Sequence, residues 1–311
     1  MELPFITVDV FTRTRFRGNP LAVVTIPANT PKPTQEQKQI VAREFNLSET
    51  VFIHDVADPE TNHSRQIDIF LTTDEIPFAG HPTIGAAVSL LRGSAHPITE
   101  LVTKAGRIAV TRTSDDSATA TVPHNVHLHA ATLSSYAGIT AAQLQANDEI
   151  RKLELAAPIF SLVKGVSFAL IELPSLELLA DVTASGRKFD AEGFLDQDWQ
   201  TGFIGRFYYV RTGSSTTADG VPVVQLRTRM MAEGFEDPAT GAASSCLAAY
   251  LSIKGGDKQT TPTRRYDFTQ GVEMGKESHI QVDVNTKDGA LDTVILGGPA
   301  VQVMRGHVQI E

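Results

Sequence analysis

The chain has 311 residues, of which 41% are hydrophobic and 20% charged, and its formal net charge at pH 7 is −9. This composition is typical of a globular protein of about two domains, and its acidic balance excludes the dense basic surface that nucleic-acid binding needs. A single cysteine excludes an internal disulfide. No apolar run approaches the roughly 20 residues that span a bilayer, and the first residues alternate like a strand rather than a signal peptide. We therefore expect a cytoplasmic protein that binds neither nucleic acid nor membrane.

The first half is predicted to combine short strands with two helices. Thr34–Phe45 is predicted as a helix, because Thr34 can cap its start and Asn46 can end it. His81–Arg92 is apolar nearly all round and is predicted as a buried helix. The remaining predicted strands and strand-rich segments are Phe5–Phe11, Leu21–Ile26, Leu47–His54, Arg65–Thr72, Glu100–Arg107 and Ile108–Val122.

A polar stretch, Pro123–Ser135, is the predicted linker to the second half. Thr140–Ala146 is predicted as a helix, and Pro238–Ile253 as a second buried helix. The predicted strands of this half are Ile159–Leu162, Ser167–Leu173, Arg206–Thr212, Val221–Met230, Tyr266–Gly271, Ser278–Val284, Thr293–Gly297 and Ala300–Arg305.

The order of these elements predicts an α+β fold with two β-rich halves, each wrapped around one central helix. A parallel dinucleotide-binding sheet is disfavoured, because strands and helices do not alternate and no G-x-G-x-x-G follows the first strand. We predict an N-terminal half at residues 1–125 and a C-terminal half at 126–297. The last strand, 298–311, is a candidate to complete the first half.

A short sequence motif occurs once in each half, at Phe78–Ala87 and at Phe235–Ala243. Aligning Pro82 with Pro238 gives an offset of 156 residues, about half the chain, which favours two similar halves over a short-period solenoid. Proline followed by small residues is typical of a helix start. We predict two helix starts that face one cleft, each with a titratable residue, His81 in the first and Asp237 in the second.

Helix starts present free N–H groups and the positive end of the helix dipole, so these two are predicted to hold a substrate carboxylate. Gly80, Gly85 and Gly241 would let the backbone approach a ligand closely. The alternative for each helix alone is that Asp237 is only a cap and His81 only a polar residue ahead of a helix. The repetition of the whole motif favours the functional interpretation, in which the two helix starts bind a substrate.

Glu49 lies within a run of strand-forming residues, where an acid either faces water or is held for a purpose. A buried carboxylate with a raised pKa can take a proton from carbon and return it elsewhere. Taken alone, Glu49 fits a solvated strand face better, and its role becomes specific only in combination with His81 and Asp237.

Other reactive side chains point to no further chemistry. Cys246 lies inside an apolar predicted helix and is interpreted as a structural thiol. His127 and His129 have strand spacing and would share a face, with His124 nearby, but no Cys or acid accompanies them in sequence. A surface or linker role is therefore favoured over metal binding, and we predict neither a metal nor an organic cofactor.

Together these residues resemble the PhzF family, named for the isomerase of phenazine biosynthesis. The similar blocks cover nearly the whole chain, from Val8 to about Gly306. They are Phe16–Pro20, Leu47–Glu49, Pro77–Thr83, Glu236–Gly241, Gln270–Gly275 and Gly297–Val301. The resemblance implies the diaminopimelate-epimerase-like fold, in which two pseudo-symmetric β-barrel-like halves surround central helices and the active site lies between them.

The resemblance also implies roles for individual residues. The glutamate of the Ser-Glu block, here Glu49, would shuttle a proton between two carbons, assisted by His81 and Asp237. Asn19, Gly80, Gly241 and Ala242 would contact the substrate. The chain departs from the family's isomerase at Ala242, where that enzyme has a serine whose hydroxyl can hydrogen-bond the substrate. The epimerase relatives use two cysteines, which this chain lacks.

The sequence therefore predicts a cofactor-independent isomerase that moves a proton within a small carboxylated, cyclic metabolite. The resemblance implies a homodimer. One alternative is a non-catalytic protein of the same fold that binds a small acid or a partner. Another is an amino-acid epimerase or racemase that uses the carboxylates of Glu49 and Asp237 in place of the cysteine pair.

Overall fold

The computed structural model describes residues 1–92, 95–184, 187–232, 234–254 and 261–311. The helices there are α1 (Gln35–Phe45), α2 (Gly80–Leu91), α3 (Asp148–Ala156), α4 (Leu176–Ala180) and α5 (Gly241–Ile253). The strands are β1 (Glu2–Val10), β2 (Asn19–Ile26), β3 (Thr50–His54), β4 (Ser64–Phe70), β5 (Glu75–Ile76), β6 (Glu100–Thr103), β7 (Gly106–Ser114), β8 (Ser117–Thr121), β9 (His127–Thr132), β10 (Pro158–Val163), β11 (Val166–Glu172), β12 (Phe203–Thr216), β13 (Pro222–Met231), β14 (Glu236–Asp237), β15 (Thr263–Gln270), β16 (Ser278–Lys287) and β17 (Ala290–Gln309).

The chain divides into two compact units. The first unit comprises Met1–Val122 together with Ile295–Glu311, and the second unit comprises Pro123–Val294. The long strand β17 begins in the second unit and continues into the first. Among the residues that the structure describes, none of the helices has the length and apolar character of a membrane span.

The first unit is a closed barrel of eight strands around α2. Strand β1 pairs antiparallel with β2, β2 parallel with β3, β3 antiparallel with β4 and β4 parallel with β6. Strands β6, β7 and β8 continue antiparallel, and β17 closes the ring by pairing with both β8 and β1. Helix α2 contacts β1, β2, β3, β7 and β8, and it is buried from Gly80 to Val88. A helix surrounded by sheet can be apolar on every face, as its sequence predicts.

The second unit repeats the same order of pairings. Strand β10 pairs antiparallel with β11, β11 parallel with β12, β12 antiparallel with β13, β13 parallel with β15 and β15 antiparallel with β16. Strand β9 lies beside β10, and α5 contacts β10, β11, β15 and β16. The prediction of an α+β fold with two pseudo-symmetric β-rich halves, each around one helix, is confirmed.

The structure changes the register of the internal repeat. In each unit a two-residue strand, β5 or β14, pairs with the strand before it and leads after three residues into the central helix. Helix α2 begins at Gly80 and α5 at Gly241, an offset of 161 residues rather than 156. Pro77 therefore matches Pro238, and both precede their helices. The prediction that proline opens each helix was wrong, because Pro82 lies inside α2.

Several predicted boundaries were also wrong. Glu49 is not inside a strand, because β3 begins at Thr50. The predicted linker contains β9, and the predicted helix Thr140–Ala146 is only a 3₁₀ turn, Ala141–Gln143, followed by α3. Asn147 explains this shift, since its side chain accepts two backbone N–H groups and caps α3. The last two predicted strands form one continuous strand, β17.

The second unit contains a buried charged cluster beneath α3. The Glu154 side chain is fully buried, and its carboxylate accepts hydrogen bonds from Arg206 Nη1 at 3.2 Å and from Tyr208 Oη at 2.7 Å. The backbone N–H of Gln145 donates to its other oxygen at 2.9 Å. These contacts join α3 to the central strand β12, so the cluster offsets the cost of burying a charge through several hydrogen bonds.

Candidate active site

The two central helices differ from the other three at their starts. The side chains of Thr34, Asn147 and Ser175 accept backbone N–H groups at the starts of α1, α3 and α4, and each of these first turns carries an acid. Neither α2 nor α5 has a side-chain cap or an acid in its first turn. The positive end of each central helix dipole is therefore left without a carboxylate in that turn, which favours an anionic ligand.

Glu49 lies in the short connection between α1 and β3. Its side chain is only 14% exposed, and Oε2 accepts no hydrogen bond from the residues that the structure describes. Burial raises the pKa of Glu49 from the ordinary value of 4.5 to about 7, against the opposing effect of a hydrogen bond from the Ser48 side chain. A carboxyl group with this pKa can both accept and donate a proton near neutral pH.

His81, the second residue of α2, lies beside Glu49. Nε2 of His81 lies 3.6 Å from Oε2 of Glu49, and the imidazole is 6% exposed. This distance is longer than a hydrogen bond, as is common in active sites without a substrate. The fold thus brings together two of the three predicted catalytic residues, although 32 positions separate them in the sequence.

Asp237 ends β14 in the second unit, and its surroundings fix the turn before α5. The Thr240 hydroxyl donates to Oδ2 of Asp237. The fully buried Gln270 donates from Nε2 to the Asp237 carbonyl at 2.8 Å and accepts the Thr240 N–H at 3.1 Å. Thr240 therefore holds the Asp237 carboxylate, and Gln270 holds the backbone of the turn before α5.

Asn19 begins β2 and is buried in the first unit. The loop before it contains Phe11 and Phe16 at φ of +63° and +68°, a conformation that costs energy for bulky residues. Asp9 stabilises this loop by accepting the Phe16 N–H at 2.6 Å, while Phe16 is 72% exposed. At Gly18, with φ of +66°, a Cβ atom would lie 2.3 Å from the Val10 carbonyl oxygen, so only glycine fits.

The remaining predicted contacts lie at the helix starts. Gly80 and Gly241 are the first residues of α2 and α5, and Ala242 is the second residue of α5. In the corrected repeat Ala242 takes the position that His81 has in α2. Cys246 is fully buried in α5, its thiol donates to the Phe160 carbonyl, and burial raises its pKa well above the ordinary range.

Sequence reasoning missed the residues that hold the predicted site in place. Ser48 and Thr240 lie inside sequence blocks that resemble the PhzF family. Ser48 directly precedes Glu49, Thr240 follows Asp237 by three residues, and Gln270 is the first residue of a later block. The feature of the sequence that could have indicated them is a hydroxyl or amide side chain close to a candidate carboxylate. Glu75 and Glu236 match in the corrected repeat, and both are bound in ion pairs, with Lys104 at 2.6 Å and Arg229 at 2.6 Å.

Comparison with known proteins places this arrangement in a family. The family described as phenazine biosynthesis-like protein matches residues 8–306. An uncharacterized isomerase from Mesorhizobium japonicum is 30% identical, with 98% of each chain covered. The trans-2,3-dihydro-3-hydroxyanthranilate isomerase of Pseudomonas fluorescens is 26% identical, again with 98% of each chain covered. The crystal structure of a Bacillus anthracis phenazine biosynthesis protein of the PhzF family superposes with a TM-score of 0.75 at 19% identity, covering both chains fully.

The family match covers nearly the whole chain, and the relatives named for an activity are isomerases. The fold, with two similar β-rich halves around central helices, agrees with that of the PhzF structure. The chain therefore belongs to the phenazine biosynthesis-like (PhzF) family and is an isomerase of the PhzF type.

Proposed function

We propose that this isomerase moves a proton between two carbons of a small, cyclic carboxylate, with Glu49 as the base and the acid. The observation that carries the proposal is a buried carboxyl group with a pKa of about 7, next to an imidazole and the uncapped start of α2. A base and an acid near the working pH are what a reversible proton transfer needs.

The proposed reaction needs no net oxidation or reduction. Ionised Glu49 removes a proton from one carbon, and the electron pair of that C–H bond shifts along the adjacent double bond. A second carbon then takes the proton back from the Glu49 carboxyl group, so that the double bond has moved and the enzyme is regenerated. We assign to His81 the hydrogen bond that orients the substrate, and to Asp237 a supporting role in substrate binding.

The first expected result is that deuterium enters the product at the carbon that receives the proton. The Glu49 carboxyl proton can exchange with solvent after it is taken from the first carbon and before it is given to the second. In D₂O, deuterium is therefore delivered in its place. The substrate to test first is trans-2,3-dihydro-3-hydroxyanthranilate, which the Pseudomonas fluorescens relative is named for. Mass spectrometry of the product in D₂O measures the incorporation.

Turnover without any deuterium uptake would contradict an exchangeable carboxyl shuttle. Binding of this compound without turnover would instead favour a non-catalytic acid-binding protein. Because Ala242 lacks the hydroxyl of the phenazine enzyme, the Ala242→Ser variant is the matched comparison. We expect it to lower KM for this hydroxyanthranilate more than for a carboxylate without ring hydroxyl and amino groups.

The second expected result is anion binding at the uncapped helix starts. We propose that backbone N–H groups at Gly80–His81 and at Gly241–Ala242 bind the substrate carboxylate. Crystals soaked in sulfate should show the ion at one or both helix starts. An ion found repeatedly at the side-chain-capped starts of α1 or α3, with the central helices unoccupied, would contradict the assignment.

We further propose that the protein acts as a homodimer in the cytoplasm and needs neither a metal nor an organic cofactor for turnover. Light scattering at micromolar concentration should give twice the mass of the 33.6 kDa chain. A monomer that retains full activity would contradict the dimer, and activity lost on dialysis against a chelator would contradict the metal-independent reaction.

A further inference from the structure

A cluster of two imidazoles and one carboxylate lies in the second unit and contains none of the residues assigned to catalysis. His127 Nε2 lies 2.7 Å from Oδ2 of Asp196, and Nδ1 of His129 lies 3.9 Å from the same oxygen. The three potential ligand atoms are all within 4.8 Å of one another, and this is the one such cluster among the described residues. The sequence pattern placed the two histidines on one face but did not associate Asp196 with them, because Asp196 is 69 positions from His127.

The His129 ring is held by a hydrogen bond at Nε2, the nitrogen that faces away from Asp196. Nε2 of His129 is 2.8 Å from the Ser161 hydroxyl, which is 2.6 Å from the Ser167 hydroxyl, and all three side chains are buried. A donor bond from Nε2 leaves the lone pair of His129 on Nδ1, the atom that points to Asp196. Metal-binding histidines usually have this kind of support at the nitrogen that does not ligate.

The second imidazole is fixed by stacking. The His127 ring lies on the Trp199 ring with centroids 4.8 Å apart and planes 12° apart. Both rings of the histidine pair lie on the same face of β9, as the strand spacing predicts, with centroids 4.8 Å apart. The orientation of His127 is therefore determined by packing, and its Nε2 is directed at the Asp196 carboxylate.

We propose that His127, His129 and Asp196 bind a divalent transition-metal ion, with zinc as the best fit. Two imidazole nitrogens and one carboxylate oxygen form a common zinc ligand set, with metal–ligand distances of about 2.0–2.2 Å and a fourth position open to water. Ligand atoms of such a site are roughly 3.3–3.5 Å apart, by that geometry. His127 Nε2 is closer than this to Oδ2 of Asp196, at 2.7 Å, and His129 Nδ1 is farther, at 3.9 Å. Metal binding therefore requires the His127–Asp196 pair to open and His129 to move closer.

Two existing hydrogen bonds change when the ion binds. The direct contact between His127 and Asp196 is replaced by bonds from each to the metal. The Asp196 N–H, which donates to Nδ1 of His129 at a long 3.3 Å, gives up this acceptor. The Ala130 N–H can keep the carboxylate in place, since it lies 3.2 and 3.3 Å from the two oxygens of Asp196.

The site would join β9 to the segment that carries Asp196 and Trp199, which has no helix or strand of its own between residues 187 and 202. A metal at this position therefore acts as a structural link within the second unit. It is separate from the proposed proton transfer, and turnover does not depend on it.

The test is a calorimetric titration of the purified, metal-stripped protein with Zn²⁺, supported by the visible absorption of Co²⁺ as a geometry probe. We expect one equivalent to bind and the unfolding midpoint to rise. His127→Phe keeps a ring stacked on Trp199 but removes the ligand nitrogen. Replacing a residue that supports a metal ligand typically lowers metal affinity by about 10–100-fold. Removing the ligand itself costs more, so we expect the Zn²⁺ affinity of His127→Phe to fall by more than about 100-fold.

The control is His279→Ala, which removes an exposed histidine that pairs with Glu277 outside the proposed site. It should leave the titration unchanged, whereas Asp196→Asn should weaken binding and abolish the tetrahedral Co²⁺ spectrum. The proposal is overturned if no stoichiometric binding occurs, or if His127→Phe binds Zn²⁺ as tightly as the wild type.

Discussion

Replacing Glu49 by Gln is expected to lower kcat by about 10²–10⁴-fold, the range typical of a positioned general base. The amide keeps the shape of the side chain and can still accept from Ser48, but it cannot take a proton from carbon. The measurement is steady-state turnover of the wild type and the variant on the same substrate. Glu44→Gln, an exposed glutamate of α1, is the matched control and should leave kcat unchanged.

The same substitution is expected to stabilise the fold at high pH. The pKa of Glu49 is about 7 in the folded protein and 4.5 ordinarily, so ionisation disfavours folding. This cost is absent below pH 4.5, grows between pH 4.5 and 7, and is complete above pH 7, where it amounts to about 3 kcal/mol. Denaturant unfolding should therefore show Glu49→Gln more stable than wild type at pH 8 and equal at pH 4.

These two readouts separate the possible roles of Glu49. A residue kept only for structure would lose stability when changed and would affect kcat only through the folded fraction. Unchanged turnover in Glu49→Gln with an established substrate would refute the assignment. Gain of stability together with loss of turnover is the signature of a side chain held in a costly state for catalysis.

The second large effect is expected at Glu154. Glu154→Gln removes the negative charge that pairs with the buried Arg206, which is 2% exposed. Breaking one partner of a buried ion pair costs about 3–5 kcal/mol, because the other charge stays buried without an opposing charge. Urea unfolding followed by circular dichroism measures the loss.

The matched control is Glu149→Gln on the exposed side of the same helix, where a change of at most about 1 kcal/mol is expected from the helix dipole. The double variant Glu154→Gln with Arg206→Met removes both charges and should recover part of the loss. Equal stability of Glu154→Gln and Glu149→Gln would contradict the role of the cluster.

The sequence was sufficient for the large features because these depend on local patterns. The apolar surface of α2 on every side predicted its burial, and Thr34 and Asn46 predicted the ends of α1. Tertiary contacts decided what local patterns could not. The strand-like run from Leu47 misplaced Glu49, because the αL conformation at Asn46 and the loop after it delay β3 until Thr50.

The site shows the same division between local and long-range information. Family blocks singled out Glu49, His81 and Asp237 as candidates, but only the fold placed His81 beside Glu49 and Gln270 beside Asp237. The repeat was detected through its prolines and assigned the wrong register, because three residues separate each short strand from its helix and neither helix starts at a proline. Asp196 could not be associated with the histidines, since no local pattern links positions so far apart.

The path of β17 has a consequence for synthesis. The first barrel needs residues 295–309 to pair with β8 and β1, while the second unit ends at Val294. During translation, therefore, the first barrel has two unpaired edges until residues 295–309 emerge, and the unit that begins at Pro123 is the first with a complete sequence. Nascent chains that stall before Ile295 expose these edges to other chains, which makes truncation before this residue an aggregation hazard.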